Sequence, residues 1–161
     1  QESYVLDRSF RDICASNGCG TYDKCWTCPP CIGDIDELIA RVNTFPHGVL
    51  YQTVGEIEDS YDFEGMMEVG EKHARLGQEI QAKVVAKIPG RTLHLSCGGC
   101  HLCPECAKRV DEPCRHPDLA LAPMEGYGFD VYNTAKATPL KYVNGTNTVT
   151  YFGIVLFDSA E

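Results

Sequence analysis

The sequence predicts an α+β fold: a small, mostly antiparallel sheet packed with one long and several short helices, and two cysteine-rich loops set among them. Three observations predict it. Apolar residues recur every three or four positions over residues 60–87, the period of a long helix. A dense apolar run, Thr148 to Phe157, follows Asn144-Gly145, the strongest short hairpin-turn signal. All ten cysteines fall in two short stretches, five between Cys14 and Cys31 and five between Cys97 and Cys114. Helical and extended segments mix without a strict strand–helix–strand repeat, which separates this class from a parallel α/β sheet. The 161 residues fit one domain, 1–161, since domains commonly run to about 100–200 residues.

Residues 1–13 carry only a loose alternation and assign nothing. Asp34 precedes a short helix with Glu37 three residues on, a capping-box arrangement. Ile35, Leu38, Ile39 and Val42 share its apolar face, and Phe45-Pro46 ends it. Gly48 to Glu56, rich in Val, Tyr and Thr, reads as a strand. Asp59-Ser60 caps the long helix, which runs to about Lys87 before Pro89-Gly90. Its apolar side holds Met66, Val69, His73, Leu76, Ile80 and Val84, so the Met66-Met67 pair reads as core filling and His73 as a buried, hydrogen-bonded histidine. Arg91 to Ser96 alternates as a strand that delivers the chain into the second cysteine loop. A brief helix follows at Ala107–Val110, and Pro123 opens another over Met124 to about Thr134, weakened by Gly126 and Gly128. Pro139 to Val143 leads into the Asn144-Gly145 turn. The returning strand is apolar enough to lie centrally in the sheet, buried on both faces over part of its length.

Composition excludes several function classes. A net charge of −9 opposes a nucleic-acid binder, whose affinity needs a basic face. It suits a partner with a basic docking patch. No apolar run of roughly 18 residues or more suggests a membrane span. Gln1-Glu2-Ser3-Tyr4 has neither a basic start nor an apolar stretch, so no signal peptide is read there. Ten cysteines in 161 residues fall short of the roughly 8–10% of a disulfide scaffold. Their confinement to two loops, 14–31 and 97–117, points to metal or cluster ligands rather than staples.

A cubane of iron and sulfide wants one thiolate at each of four corners. Cysteines three apart reach three corners from one loop, and a remote cysteine supplies the fourth. In the second group, Cys100, Cys103 and Cys106 with Cys114 solve this and leave Cys97 over. Cys97, Cys100 and Cys103 with Cys114 solve it equally and leave Cys106 over. In the first group Cys25, Cys28 and Cys31 repeat the interval, with Cys14 or Cys19 as remote partner. Gly and Asn residues between the thiols tolerate the positive φ of a wrapping loop, and Pro29-Pro30 fixes an extended local path. Trp26 is placed to cover a cluster edge, and His101 and His116 to donate to cluster sulfur. Zinc in a tetrahedral cysteine set is the inorganic rival.

Cys14-x4-Cys19-x2-Tyr22 with Cys28-Pro29-Pro30, then Cys100-x2-Cys103-x2-Cys106, Cys114-Arg115-His116-Pro117 and Met124-Glu125-Gly126-Tyr127-Gly128-Phe129-Asp130-Val131, resemble the signature of a family of small predicted metal-binding proteins of anaerobic bacteria and archaea, a domain of unknown function. The resemblance spans nearly the whole chain. It implies Cys14, Cys19 and Cys28 at one site and Cys100, Cys103, Cys106 and Cys114 at the other. Cys25, Cys31 and Cys97 are additions to the pattern, Ala122 replaces an expected Ser and Gly126 an expected Ala. The fourth ligand of the first site is open between Cys25 and Cys31.

The expected function is therefore an iron–sulfur protein with two 4Fe-4S clusters. It would transfer electrons within a redox system, with a redox partner protein or larger enzyme complex, and could itself form an oligomer. The alternatives are a redox enzyme whose open-corner cluster binds substrate, and a zinc-binding interaction module. Unpaired thiols place such a protein in a reducing compartment, the cytoplasm.

Overall fold

A computed structural model describes residues 4–100 and 102–158. Four strands form a mixed sheet in the order β1-β4-β2-β3. They are β1 (His47–Glu56), β2 (Thr92–Ser96), β3 (Ala122–Pro123) and β4 (Thr148–Phe157). β4 runs antiparallel to β1 and β2, and only the short β2–β3 pair is parallel. The central place expected for β4 is observed, with Phe152 to Leu156 buried. The strand expected over Pro139 to Val143 does not form. β1 pairs with β4 along its whole length, whereas β2 pairs only with Ile154 to Phe157, so the start of β4 keeps one edge without a strand partner among the described residues. Asn144 instead donates its side-chain amide to Lys141 O and Thr150 Oγ1, closing a turn at the strand's start.

The period of two sorts β4 and β2 into a dry face and a polar face. Phe152, Ile154 and Leu156 join Leu93 and Leu95 against Leu38, Val42 and Phe45. Leu38 and Val42 lie on α2 (Ile35–Asn43), whose first turn is capped by the Asp34 carboxylate accepting from Asp36 and Glu37 N–H. Met124, Tyr127 and Phe129 complete this core. The helix expected over Met124 to Thr134 is instead two pieces: a 3-10 turn, Met124–Tyr127, and α4 (Val131–Lys136). Gly128 divides them with φ of +84°, and Phe129 bridges to Leu6, so the N-terminal residues lie along the break. Asp130 then caps α4 through Asn133 N–H.

The other face of the sheet carries α3 (Phe63–Lys87). Its cap is Asp62, accepting from Gly65 N–H, rather than Asp59-Ser60, where the Asp59 side chain closes a local turn onto Tyr61 N–H. Beneath α3 the odd-even sorting places Tyr51, Thr53, His94 and Ser96, so this interface is polar. His73 donates Nε2–H to Phe152 O and accepts at Nδ1 from the Thr53 hydroxyl. It is the buried, satisfied histidine expected. The neutral His94 donates through Nδ1 to Gln81 Oε1 and accepts from Tyr51 O–H at 2.7 Å. Small residues let the layers close: a Cβ at Gly77 would meet Leu121 at 3.3 Å and the Tyr51 hydroxyl at 3.4 Å. Leu76 and Met67 are exposed, at 37% and 67%. The helix therefore buries a narrow strip, and Met67 is not core. No helix among the described residues is long and apolar enough to cross a membrane.

Candidate metal centre

β2 carries the chain from the sheet into the second cysteine loop, and Gly98, at φ +68°, turns it at once. Cys100, Cys103, Cys106 and Cys114 all line one small pocket with Leu102, Ala107, Arg115 and His116. Cys106 leads into the 3-10 turn Ala107–Val110. The Arg115 guanidinium donates to Glu105 O at 3.1 Å, holding the Cys114 stretch beside Cys106. Burial pushes the Cys100 thiol up, so removing its proton requires compensation by a cation. The space these residues share is about 20 Å³, room for one water-sized body. Among the described residues no three Cys, His, Asp or Glu side chains stand at ion-binding geometry.

Cys97 does not line that pocket. It faces a larger cleft of about 620 Å³ between α3 and residues 96–100 and 102–104, whose walls also include Cys100 and Cys103. Burial, then the charge of Glu125, pushes its thiol up to about 12, against donation from the Phe152 backbone amide and the Ser96 hydroxyl. The donor role expected of His101 falls on a residue that lies outside those described. His116 does reach the four-cysteine pocket.

The first cysteine group begins at α1 (Phe10–Ala15), which Arg11 ties down by donating to Gly33 O and Gly126 O. Asn17, Gly20 and Asp23 take positive φ, and the loop folds on itself through Asp23 N–H to Pro29 O. The Pro29–Pro30 bond is cis, in place of the extended path expected. Cys25 and Cys28 are buried, at 4% each, whereas Cys19 is exposed. The neighbouring Cys28 thiol lowers the Cys25 thiol, and the Thr27 hydroxyl at 3.2 Å adds to this. The pairing with Cys25, then burial, pushes Cys28 upward. Thr21 serves two sulfurs, at 3.1 Å from Cys19 and 3.4 Å from Cys28. Burial raises Cys14 and Cys31. Cys31 faces Asp23 at 3.8 Å.

The two groups meet. The Cys100 amide lies close enough to the Cys25 sulfur to favour its thiolate, and a Cβ at Gly99 would sit 3.3 Å from the Thr21 methyl. Trp26 donates its indole N–H to Glu112 O at 2.8 Å, with the Lys108 ammonium 5.2 Å from its ring centroid. Trp26 thus seals the seam between the loops. Lys108 adds an ion pair to Asp23 at 3.8 Å across the same seam.

Three contributors were not picked out by sequence reasoning. Thr21 and Thr27 supply hydroxyls to sulfur, and threonine in a polar loop carries no distinguishing signal. Glu125 has its carboxyl raised by burial, and its charge bears on both Cys14 and Cys97. Its only sequence signal was an acid within an otherwise small and apolar run, Ala122 to Phe129.

The model of a family described as "Predicted metal-binding protein (DUF2284)" matches residues 1–157. No curated protein and no solved structure matches the chain.

Proposed function

The chain belongs to the DUF2284 family of predicted metal-binding proteins, and from that premise we propose an iron–sulfur protein that holds two 4Fe-4S clusters and passes electrons to a redox partner or larger redox enzyme. The observation that carries this reading is the pocket walled by Cys100, Cys103, Cys106 and Cys114. Four thiols without a carboxylate are a soft donor set that selects iron–sulfur clusters or zinc over hard cations. Cys14, Cys19 and Cys28, with Cys25 or Cys31, would hold the second centre. A bound cluster supplies one-electron redox chemistry. The chain's own part is to hold the sulfurs and tune them. Once the thiols are deprotonated as ligands, the Thr21 hydroxyl beside Cys19, the Thr27 hydroxyl beside Cys25 and the nearby Cys100 amide can only donate to sulfur, which favours the more negative, reduced state. Contact between the two cysteine groups supports exchange between the centres, and the net charge of −9 supports docking on a basic surface. Free thiols suit a reducing compartment such as the cytoplasm.

A single zinc ion at the second site is the other reading, favoured by the small space of about 20 Å³. Protein purified without oxygen separates them by iron, sulfide and zinc content. Two cubanes predict about eight iron and eight sulfide per chain, with a Cys114→Ser variant keeping about half. Stoichiometric zinc without sulfide sinks the cluster reading and supports the zinc one.

A further inference from the structure

The cleft that Cys97 faces shares only Cys100, Leu102 and Cys103 with the four-cysteine pocket and is otherwise walled by residues outside it. Its volume of about 620 Å³ falls within the roughly 300–1,000 Å³ of small-molecule sites. α3 opens it by presenting Gly70 and Ala74, one turn apart, where bulkier side chains would fill it. The opposite wall is apolar, with Leu102, Pro104, Leu119 and Leu121. Along its α3 edge stand Glu71, Arg75 and Gln78, spaced by four and three residues and therefore on one stripe of the helix. None of the three makes a side-chain hydrogen bond or ion pair among the described residues. By contrast, polar groups deeper in the cleft are engaged. His73 uses both ring nitrogens, and Tyr151 donates to Met66 O at 2.8 Å. The groups left on this stripe to recognise a ligand are thus a guanidinium with an amide one turn to one side and a carboxylate one turn to the other.

We propose that this cleft binds a small aromatic carboxylate, its ring between the Leu119–Leu121 wall and the Gly70–Ala74 face of α3 and its carboxylate on Arg75 and Gln78. Glu71 sets the orientation, since it repels the carboxylate from the other end of the stripe. The site stands whichever metal the cysteines hold, because its ligand contacts are not thiols. Its wall nevertheless includes Cys100 and Cys103, so a bound molecule touches the loop that carries the metal pocket.

The test titrates the full chain, purified without oxygen, with 2-naphthoate and with its neutral counterpart 2-naphthalenemethanol, read by ligand-observed magnetic resonance. Naphthoate is expected to bind with Kd on the order of 1 mM, as ligand efficiency sets for so small a molecule. The alcohol should bind about tenfold more weakly, the worth of a charged hydrogen bond. Arg75→Gln, on an exposed helix position, should erase that preference. Ala74→Phe should weaken both ligands about tenfold while metal content per chain stays constant, which separates this site from the centre. Equal affinity for the two compounds, preference retained in Arg75→Gln, or no saturation by naphthoate below about 10 mM overturns the proposal.

Discussion

His94 shows how a single side chain couples this fold to pH. It lies on the polar face of β2, between Tyr51 and Gln81, with His73 nearby, and is only 6% exposed. Burial, then the nearby His73, lowers it from 6.5 to about 4. The folded chain therefore keeps His94 neutral at pH values where the unfolded chain would protonate it. The unfolded state binds more protons between about 6.5 and about 4, so stability is full above this window and falls as pH drops through it. The loss is on the order of 3 kcal/mol at about 1.4 kcal/mol per unit. His73, also lowered by burial, adds in the same direction. Denaturant melts from pH 7 to pH 4 should show this slope in the native chain and a shallower one in His94→Gln, which is less stable at pH 7. Parallel slopes in the two proteins would refute the assignment. Thiolate protonation is common to both and cancels in the comparison. His73 was legible in the sequence because it falls on the apolar period of a long helix. His94 was not, since alternation in a short strand marks only its leucines.

At the scale of elements, the segment after Pro123 separates what pattern reveals from what it hides. Apolar residues from Met124 to Thr134 suit one helix, yet Gly128 adopts φ +84° and interrupts it. A Cβ there would meet Ile39 at 3.2 Å and Asp7 O at 3.3 Å. The break lets Asp7 N–H reach Gly128 O and Asp130 N–H reach Val5 O, which docks the N-terminal segment. Gly128→Ala is therefore expected to cost about 1–2 kcal/mol from the left-handed backbone alone, and more from crowding. Thermal melts measure it, and an unchanged midpoint would mean that the segment tolerates the single helix. Strand β4 was readable because a run apolar on both faces has only a central place to go. The 139–143 strand was misread because a strong turn dipeptide fixes a turn, here closed by the Asn144 side chain, and not the pairing of the segment before it. The 3-10 turn at Ala107–Val110 fell where expected, as did both ends of β4 and the cap of α2.

For the whole molecule, the division of labour between core and cysteines decides what metal loss should do. The main core joins Leu38 and Val42 of α2 to Leu93, Leu95, Phe152, Ile154 and Leu156 of the sheet and contains no cysteine. The cysteine loops instead meet each other, through Cys25 and Cys100, Gly99 and Thr21, Trp26 and Glu112. Spacing marked each group as candidate ligands, but their contact arises from folding and has no signature in either loop. The thiols lie in the loops and not in the core, so metal binding is coupled to the stability of the loops first. Chelation under reducing conditions should therefore raise amide exchange in residues 14–33 and 97–117 together, while β1, β4 and β2 keep their protection. Trp26→Ala should loosen the two loops in the metal-loaded protein by removing the seam. Exchange confined to one loop would show that the centres are independent. Collapse of protection throughout the sheet would show that metal, not apolar burial, holds the fold.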